Sequence, residues 1–291
     1  MKQYNDALED ILKNGTEKLD RTGTGTISKF GVHMRFNLQD GFPAVTTKKL
    51  AWRSVVSELL WFLEGSNDER RLREILHGDR NSEKTTIWTA NAEAPYWKPS
   101  AKFNGDLGRI YGIQWKHWKT PHRRWINANT FESIELDQIK TLIDQIKTDP
   151  SSRRHILTAW NPAEINQMAL PPCHILSQFD VTNGRLSCQL YQRSADFPLG
   201  IPFNIASYSL LTHMIAQVCD LEVGEFIHCI GDAHIYLNQL DGVKEQLSRI
   251  PGRLPTLNLN SNIKNINEFT MGDISLIDYH PQEAINFPFS T

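Results

Sequence analysis

Residues 174–221 read HILSQFDVTNGRLSCQLYQRSADFPLGIPFNIASYSLLTHMIAQVCDL, and their hydrophobic pattern decides the fold class. HILSQFDV and RLSCQLYQ each read as a strand. The TNG between them is a turn, because Asn-Gly supplies the positive φ that a tight hairpin needs. NIASYSLLTHMIAQVCDL is apolar nearly all round and long enough to be a buried central helix. GEFIHCIGDAHIYLNQL then returns to strand and helix. A hairpin, a buried helix and a further strand predict an α/β domain of the α+β type, with a large mixed sheet flanked by helices.

Outward from this run, Tyr4, Leu8, Ile11 and Leu12 recur at helical spacing and Gly15 is a plausible stop, so residues 3–14 predict a docked helix. DRTGTGTISKFGVHMRFNLQDGFP predicts a glycine-bearing loop, carrying Arg21, that feeds a strand pair. In AWRSVVSELLWFLEG a wide apolar helical face surrounds Glu58. Residues 77–110 are polar and rich in Gly and Pro, and read as a long irregular insertion. LDQIKTLIDQIKTDP is a helix closed by Pro150, and SSRR opens a strand-like HILTAW. No repeat, low-complexity tract or Pro/Ser linker divides the chain, so residues 1–291 are expected to form one domain.

The chain has 291 residues, 40% apolar and 22% charged, with a formal net charge of −2, which gives no electrostatic footprint for nucleic acid. Anion binding must then come from locally placed arginines. No run approaches the roughly 18 apolar residues of a membrane span, and the first residues show no basic-then-apolar leader, so a cytosolic enzyme is expected. Cys173, Cys188, Cys219 and Cys229 show neither a C-x-x-C pair nor framework spacing, which argues against a metal site or a disulfide scaffold.

Cys173 follows two prolines and precedes His174, a setting suited to a thiol whose pKa must fall for nucleophilic work; a lone cysteine is also explained by core packing. Arg193-Ser194, Arg21 and the Arg153-Arg154 doublet supply guanidiniums from three segments, suited to bidentate phosphate binding if they converge and otherwise ordinary surface charges. Glu58 in an apolar helix suits proton transfer near neutrality, or else pairs at the surface with Arg53 or Lys49. His234 and Tyr236 alternate onto one strand face and suit a sugar hydroxyl or core packing. Asn204 offers the acceptor and donors that read the O4 and N3–H edge of a uracil, where a cytosine would call for a carboxyl.

With DRTGTGT, TTKKLAWRSVVSELLWFLEG, SRRHILTAWNP, ALPPCH, LSCQLYQRSAD, GIPFNIASY and GEFIHCIGDAHIYLN in order, the chain resembles the folate-dependent thymidylate synthases nearly end to end. The resemblance implies a homodimer packed through its sheet that acts on dUMP with 5,10-methylenetetrahydrofolate and no metal. It makes Cys173 the thiolate that adds to C6 of the uracil. Arg193, Ser194 and Arg21 would hold the phosphate, Arg153 and Arg154 would serve the other subunit's site, and Gln192 would join the nucleotide set. Asn204 falls at the base edge, His234 and Tyr236 at the ribose, and Glu58, Tyr111 and His174 around the proton transfers at C5. Asp196 corresponds to the pterin-binding carboxylate. Ile87, Trp88, Leu170, Leu199, Gly200 and Phe203 form the apolar folate wall, with Asn91 and Phe289 beside it and Lys48 at the glutamate tail.

Several departures bear on the last chemical step. The chain ends FPFST where the family has a small apolar pair, so Ser290 and Thr291 are polar and Phe289 is bulky. Asn91 stands where many members carry a second tryptophan, Pro198 alters the loop before Leu199, and Asp180 replaces a tyrosine. A phage-like deoxyuridylate hydroxymethylase, in which water captures the exocyclic carbon, is the alternative these changes suggest, its location then the host cytoplasm. A regulatory nucleotide- or RNA-binding protein is a third reading, opposed by the weak net charge and the intact Cys173.

Overall fold

The computed structural model describes residues 1–20, 23–127 and 130–289. In chain order the strands are β1 (Thr16–Lys18), β2 (Thr26–Asn37), β3 (Trp118–Asn127), β4 (Thr130–Leu136), β5 (Ile156–Thr158), β6 (His174–Thr182), β7 (Arg185–Asp196), β8 (Glu222–Tyr236), β9 (Thr256–Leu259) and β10 (Ile274–Ile277). The helices are α1 (Lys2–Asn14), α2 (Trp52–Leu63), α3 (Glu69–His77), α4 (Thr89–Ala92), α5 (Tyr111–Lys116), α6 (Gln138–Thr148), α7 (Ile201–Val218) and α8 (Leu240–Ser248). Six strands form one mixed sheet in the order β1-β2-β8-β7-β6-β5, and the remaining four form two hairpins.

The β6–β7 hairpin turns at Asn183 and Gly184, whose φ angles of 52° and 73° are those the Asn-Gly pair predicts. Alternation along β7 buries Leu186, Cys188 and Leu190 completely and leaves Tyr191 on the opposite, exposed face. Each buried leucine contributes about 2 kcal/mol, and a slip of one residue would turn the whole set out to solvent. β7 and β8 run parallel, a pairing that requires a crossover, and α7 supplies it. Of α7's residues, Phe203, Asn204, His213 and Gln217 are the ones not buried, as expected for a helix apolar nearly all round.

This topology positions the site. Because β7 and β8 are parallel, their C-terminal ends lie side by side, with Ser194 opposite Asp232 and Asp196 opposite His234. β6 is antiparallel to β7, so its first residue, His174, lies against Gln192. Cys173, the 193–196 run, the 232–236 run and the start of α7 therefore meet at one edge of the sheet. α1 is docked against the same region by Tyr4, which stacks on Phe197 at 5.4 Å.

Two expectations are revised in detail. The segment after Arg21 forms a single strand, β2, paired with β8 along its length; Gly31, at φ 84°, interrupts its conformation without turning the chain. The HILTAW strand is confined to Ile156–Thr158. Residues 78–110 contain only the short α4, a 3-10 turn at Lys98–Ser100 and irregular backbone. None of the described helices is long and apolar enough to cross a membrane.

Candidate active site

A cleft of about 810 Å³ opens at this edge, lined by Cys173, Arg193, Ser194, Asp196, His234 and Tyr236, with Leu170 and Tyr96 on another wall. Its volume suits a nucleotide with part of a second ligand.

Cys173 sits just before β6, and its backbone N–H donates to the Tyr111 hydroxyl oxygen at 2.7 Å. The His174 N–H reaches the same oxygen at 3.4 Å. Tyr111 is thereby held under the nucleophile with its own hydroxyl proton still to donate. Burial pushes the Cys173 thiol up, against an opposing pull from Arg193. The expected help from the neighbouring imidazole does not materialise, because burial drives His174 down to about 4 and keeps it neutral. Its ring packs 5.1 Å from Tyr111, and its buried Nδ1 has no hydrogen-bond partner among the described residues. Arg193 is the cation that faces the thiol.

Arg193 is bound to the nucleophile's own segment. Its N–H donates to the Cys173 carbonyl at 2.9 Å, and Nε and Nη2 donate to the Pro172 and Pro171 carbonyls at 2.9 Å each. The two prolines thus present carbonyls that fix a guanidinium, whose remaining donors suit an anion. Trp160 stacks beneath it at 5.8 Å. Gln192 is buried behind this wall. Its Nε2 donates to the Ser194 carbonyl and to Asn204 Oδ1, both at 3.0 Å, while Oε1 lies 2.9 Å from His228 Nε2. His228 is pushed down to about 3 by burial, so its neutral ring can donate to Gln192 and fix the amide that holds Asn204.

Outside the cleft lining, Glu58 accepts a 2.7 Å hydrogen bond from the Trp88 indole, and desolvation lifts its carboxyl to about 7. The surface-pair alternative falls away, since Arg53 turns to the Leu76 carbonyl. The Trp88 N–H donates to the Thr86 hydroxyl at 3.2 Å, and the Thr86 and Thr89 hydroxyls donate to the buried Glu69 at 2.8 and 2.6 Å. His234 and Tyr236 share one face of β8 with ring centroids 5.1 Å apart. Asp232, two residues before His234, lies 3.0 Å from its Nδ1 and also accepts from Ser28 and Lys18.

Asp196 closes the cleft. Burial raises its carboxyl above the usual range, against donation from Gln239 at 2.9 Å and from the Leu199 N–H at 3.1 Å. Leu170, Leu199 and Phe203 are partly buried against the core, Gly200 caps the start of α7, and Asn91 is half-buried on α4. Ile87 and Phe289 are more than half exposed. Lys48 is buried rather than extended toward solvent. Its Nζ donates to the Pro198 carbonyl at 2.5 Å and lies 4.4 Å from the Phe287 ring.

Arg153 and Arg154 are exposed and absent from the described lining of their own cleft. Arg21, Ser290 and Thr291 lie outside the described residues. Asp180 is exposed near the hairpin turn, at the far end of β6 from Cys173, and accepts from Thr182. Among the residues that sequence reasoning missed are Asp232, Gln239 and Tyr96, whose hydroxyl donates to the Ala169 carbonyl at the cleft wall. Asp232 had a usable signal, since a carboxylate two residues before a histidine shares its strand face. Gln239 and Tyr96 had none, because their partners are 43 and 73 residues away in sequence.

A bifunctional dihydrofolate reductase-thymidylate synthase of Zea mays is 49% identical over 286 residues, 97% of this chain but 53% of that protein, so the chain spans about half of that relative. The thymidylate synthases of Listeria monocytogenes serotype 4a (strain HCC23) and serotype 4b (strain F2365) are each 49% identical over 323 aligned positions, covering the whole of both chains. The family model described as thymidylate synthase matches residues 2–291, and the chain belongs to that family.

Proposed function

We propose that the protein converts dUMP and 5,10-methylenetetrahydrofolate into dTMP and dihydrofolate. The observation that carries this reading is the wall on which Cys173, Arg193 and Asn204 are fastened to one another through Pro171, Pro172 and Gln192. With Cys173 as nucleophile, Arg193 as anion clamp and Asn204 as base-reading amide, such a shared rigid support is what covalent work on a nucleotide would require, which supports the reading.

In this reading Arg193 and Ser194 hold the phosphate with Arg21, while His234, oriented by Asp232, and Tyr236 meet the ribose. The side-chain amide of Asn204 pairs with the O4 and N3–H edge of the uracil. The Cys173 thiolate forms a bond to C6, which moves electron density to C5 and makes that carbon a nucleophile. Proton traffic at C5 falls to Glu58, whose carboxyl near 7 can hold or release a proton at neutral pH, and to the Tyr111 hydroxyl. Loss of the C5 proton and expulsion of Cys173 complete the cycle. The folate, when bound, supplies the one-carbon unit and the hydride. Trp88, Leu170, Leu199 and Phe203 give it an apolar surface, and the buried Asp196 carboxyl gives its pterin ring a polar partner. A homodimer is part of the proposal: Phe30, Tyr191 and Ile156 are exposed apolar residues on strands of the main sheet, and Arg153 and Arg154 of the partner subunit would complete the phosphate site.

Mass analysis of the nucleotide product tests the reading. dTMP appearing with dihydrofolate supports it. 5-Hydroxymethyl-dUMP with tetrahydrofolate regenerated would make the protein a hydroxymethylase instead. Tritium release from C5 would accompany either product. Sedimentation as a monomer would remove the role given to Arg153 and Arg154.

A further inference from the structure

Gln239 is 1% exposed and lies just beyond β8, in the turn leading to α8. Its side chain makes three hydrogen bonds to three separate parts of the molecule. Oε1 accepts from the Tyr236 N–H at 3.1 Å, and Nε2 donates to Asp196 Oδ2 at 2.9 Å and to the Pro288 carbonyl at 3.0 Å. One amide thus joins the ribose-side strand end, the cofactor-side carboxyl and the segment that runs from Tyr279 to Phe289.

That segment is strapped down upstream by other means. The Tyr279 hydroxyl donates to the Val45 carbonyl at 2.7 Å, the Gln282 N–H donates to the Thr46 carbonyl at 2.9 Å, and Arg249 binds the Thr47 and Glu283 carbonyls together. Phe287 is buried under Lys48 and tight against Gly242 of α8. Among the hydrogen bonds of the described residues, the bond from Gln239 to Pro288 is the fastening nearest Phe289, and it alone passes directly to a residue of the cleft.

We propose that Gln239 is a positioning residue: it holds Asp196 and the 279–289 segment in one hydrogen-bonded unit, so the carboxyl meets the folate in its working orientation only while that segment is seated. The inference rests on the folate reading above. The primary amide is the one neutral side-chain group that donates two hydrogen bonds from a single nitrogen while accepting a third at its oxygen. The other titratable groups facing Asp196 are Lys48, His234 and Tyr4, and none of them touches Pro288.

The experiment measures tetrahydrofolate binding in the presence of dUMP, and dUMP binding alone, by calorimetry on the full chain. Gln239→Met keeps the volume and removes all three bonds. It is expected to weaken tetrahydrofolate roughly 10- to 100-fold, the loss that follows from removing a hydrogen bond to a charged group, while dUMP changes by no more than about 3-fold. Equal weakening of both ligands, or of neither, would overturn the proposal. Gln239→Glu keeps the shape, sets two carboxyls together and donates to Asp196 only when protonated. Its tetrahydrofolate deficit should therefore shrink as pH is lowered from about 8 to about 6. A deficit that stays constant with pH would mark a merely structural role and sink the idea, even if Gln239→Met failed to fold. Because binding is the readout, a wild-type protein that makes no dTMP would end the functional reading while this test still stood on its own.

Discussion

The two walls of the cleft are built in different ways. The wall we propose for the nucleotide is the end of a sheet: register sets Gln192 against His174 and Ser194 against Asp232, and Arg193 is locked to Cys173, Pro172 and Pro171 by three bonds of 2.9 Å. The region we propose for the folate is assembled from single side-chain bonds between distant segments. Trp88 reaches Glu58 from irregular backbone, Lys48 reaches Pro198, and Gln239 reaches Pro288. A sheet edge opens only when many ladder bonds break together, whereas one such bond can part alone, so the second wall belongs to the low-stability end of the molecule. The reaction needs both, a fixed grip on the nucleotide and a surface that admits and releases a large partner.

The largest effect should come from the fixed wall. Cys173→Ala is expected to lower turnover by about 10⁴-fold or more while dUMP still binds, since the nucleophile goes and its support stays. Turnover persisting within tenfold would remove covalent chemistry from the account.

Acid should also destabilise the fold. His174 and His213 are held near 4 and His228 near 3 by burial, so each is neutral when folded and gains a proton on unfolding below about 6.5. The unfolded chain binds more protons in that window. Stability present above pH 6.5 is then lost, by several kcal/mol in all, as pH falls toward 4. Glu58 acts in the opposite sense, costing stability as pH rises from 4.5 through 7, so Glu58→Gln should gain up to about 3 kcal/mol at pH 8. Denaturant midpoints at pH 5, 6.5 and 8 read both slopes, and parallel profiles for wild type and Glu58→Gln would contradict a buried Glu58.

Asn204→Asp should move preference from dUMP toward dCMP by about 100-fold, because a carboxyl matches the donor edge of cytosine. Unchanged discrimination takes Asn204 out of base reading. On the other wall, Trp88→Phe leaves the apolar contact and deletes the donor to Glu58, whose carboxyl then rises further. Turnover should fall about 10-fold and the limb of the pH profile assigned to Glu58 should move to higher pH; a profile that stays put breaks the Trp88–Glu58 link.

The smallest effect belongs to the hairpin far from both ligands. Asn183→Ala, at φ 52°, should cost about 1 kcal/mol in thermal denaturation with activity intact. Lost activity would show that the hairpin strains the site.

What could be read from the sequence follows the same division. The hairpin at Asn183–Gly184, the buried α7 and the placement of Cys173, Arg193 and Asn204 along one run were legible because period, turn chemistry and adjacency are local properties. The stretch holding β2 was read as a loop feeding a strand pair, because its pairing to β8 is a distant fact. The neutral state of His174 was hidden for a related reason: adjacency to Cys173 suggested an activating pair, while burial beneath Tyr111 and Tyr208 decides its charge. Lys48 was placed at the glutamate tail by resemblance alone and Gln239 was not singled out, since nothing near either names Pro198 or Pro288.

Lys48 carries a practical consequence. Burial brings its amine down while Phe287 covers it, so it is shielded from reagent as long as the segment is seated and becomes an ordinary exposed amine once the segment lifts. A lysine of that kind is a built-in reporter: pulse labelling with an acyl ester, read peptide by peptide, should mark Lys48 only in molecules whose 279–289 segment has lifted, and so time the opening of the folate wall without any probe being engineered.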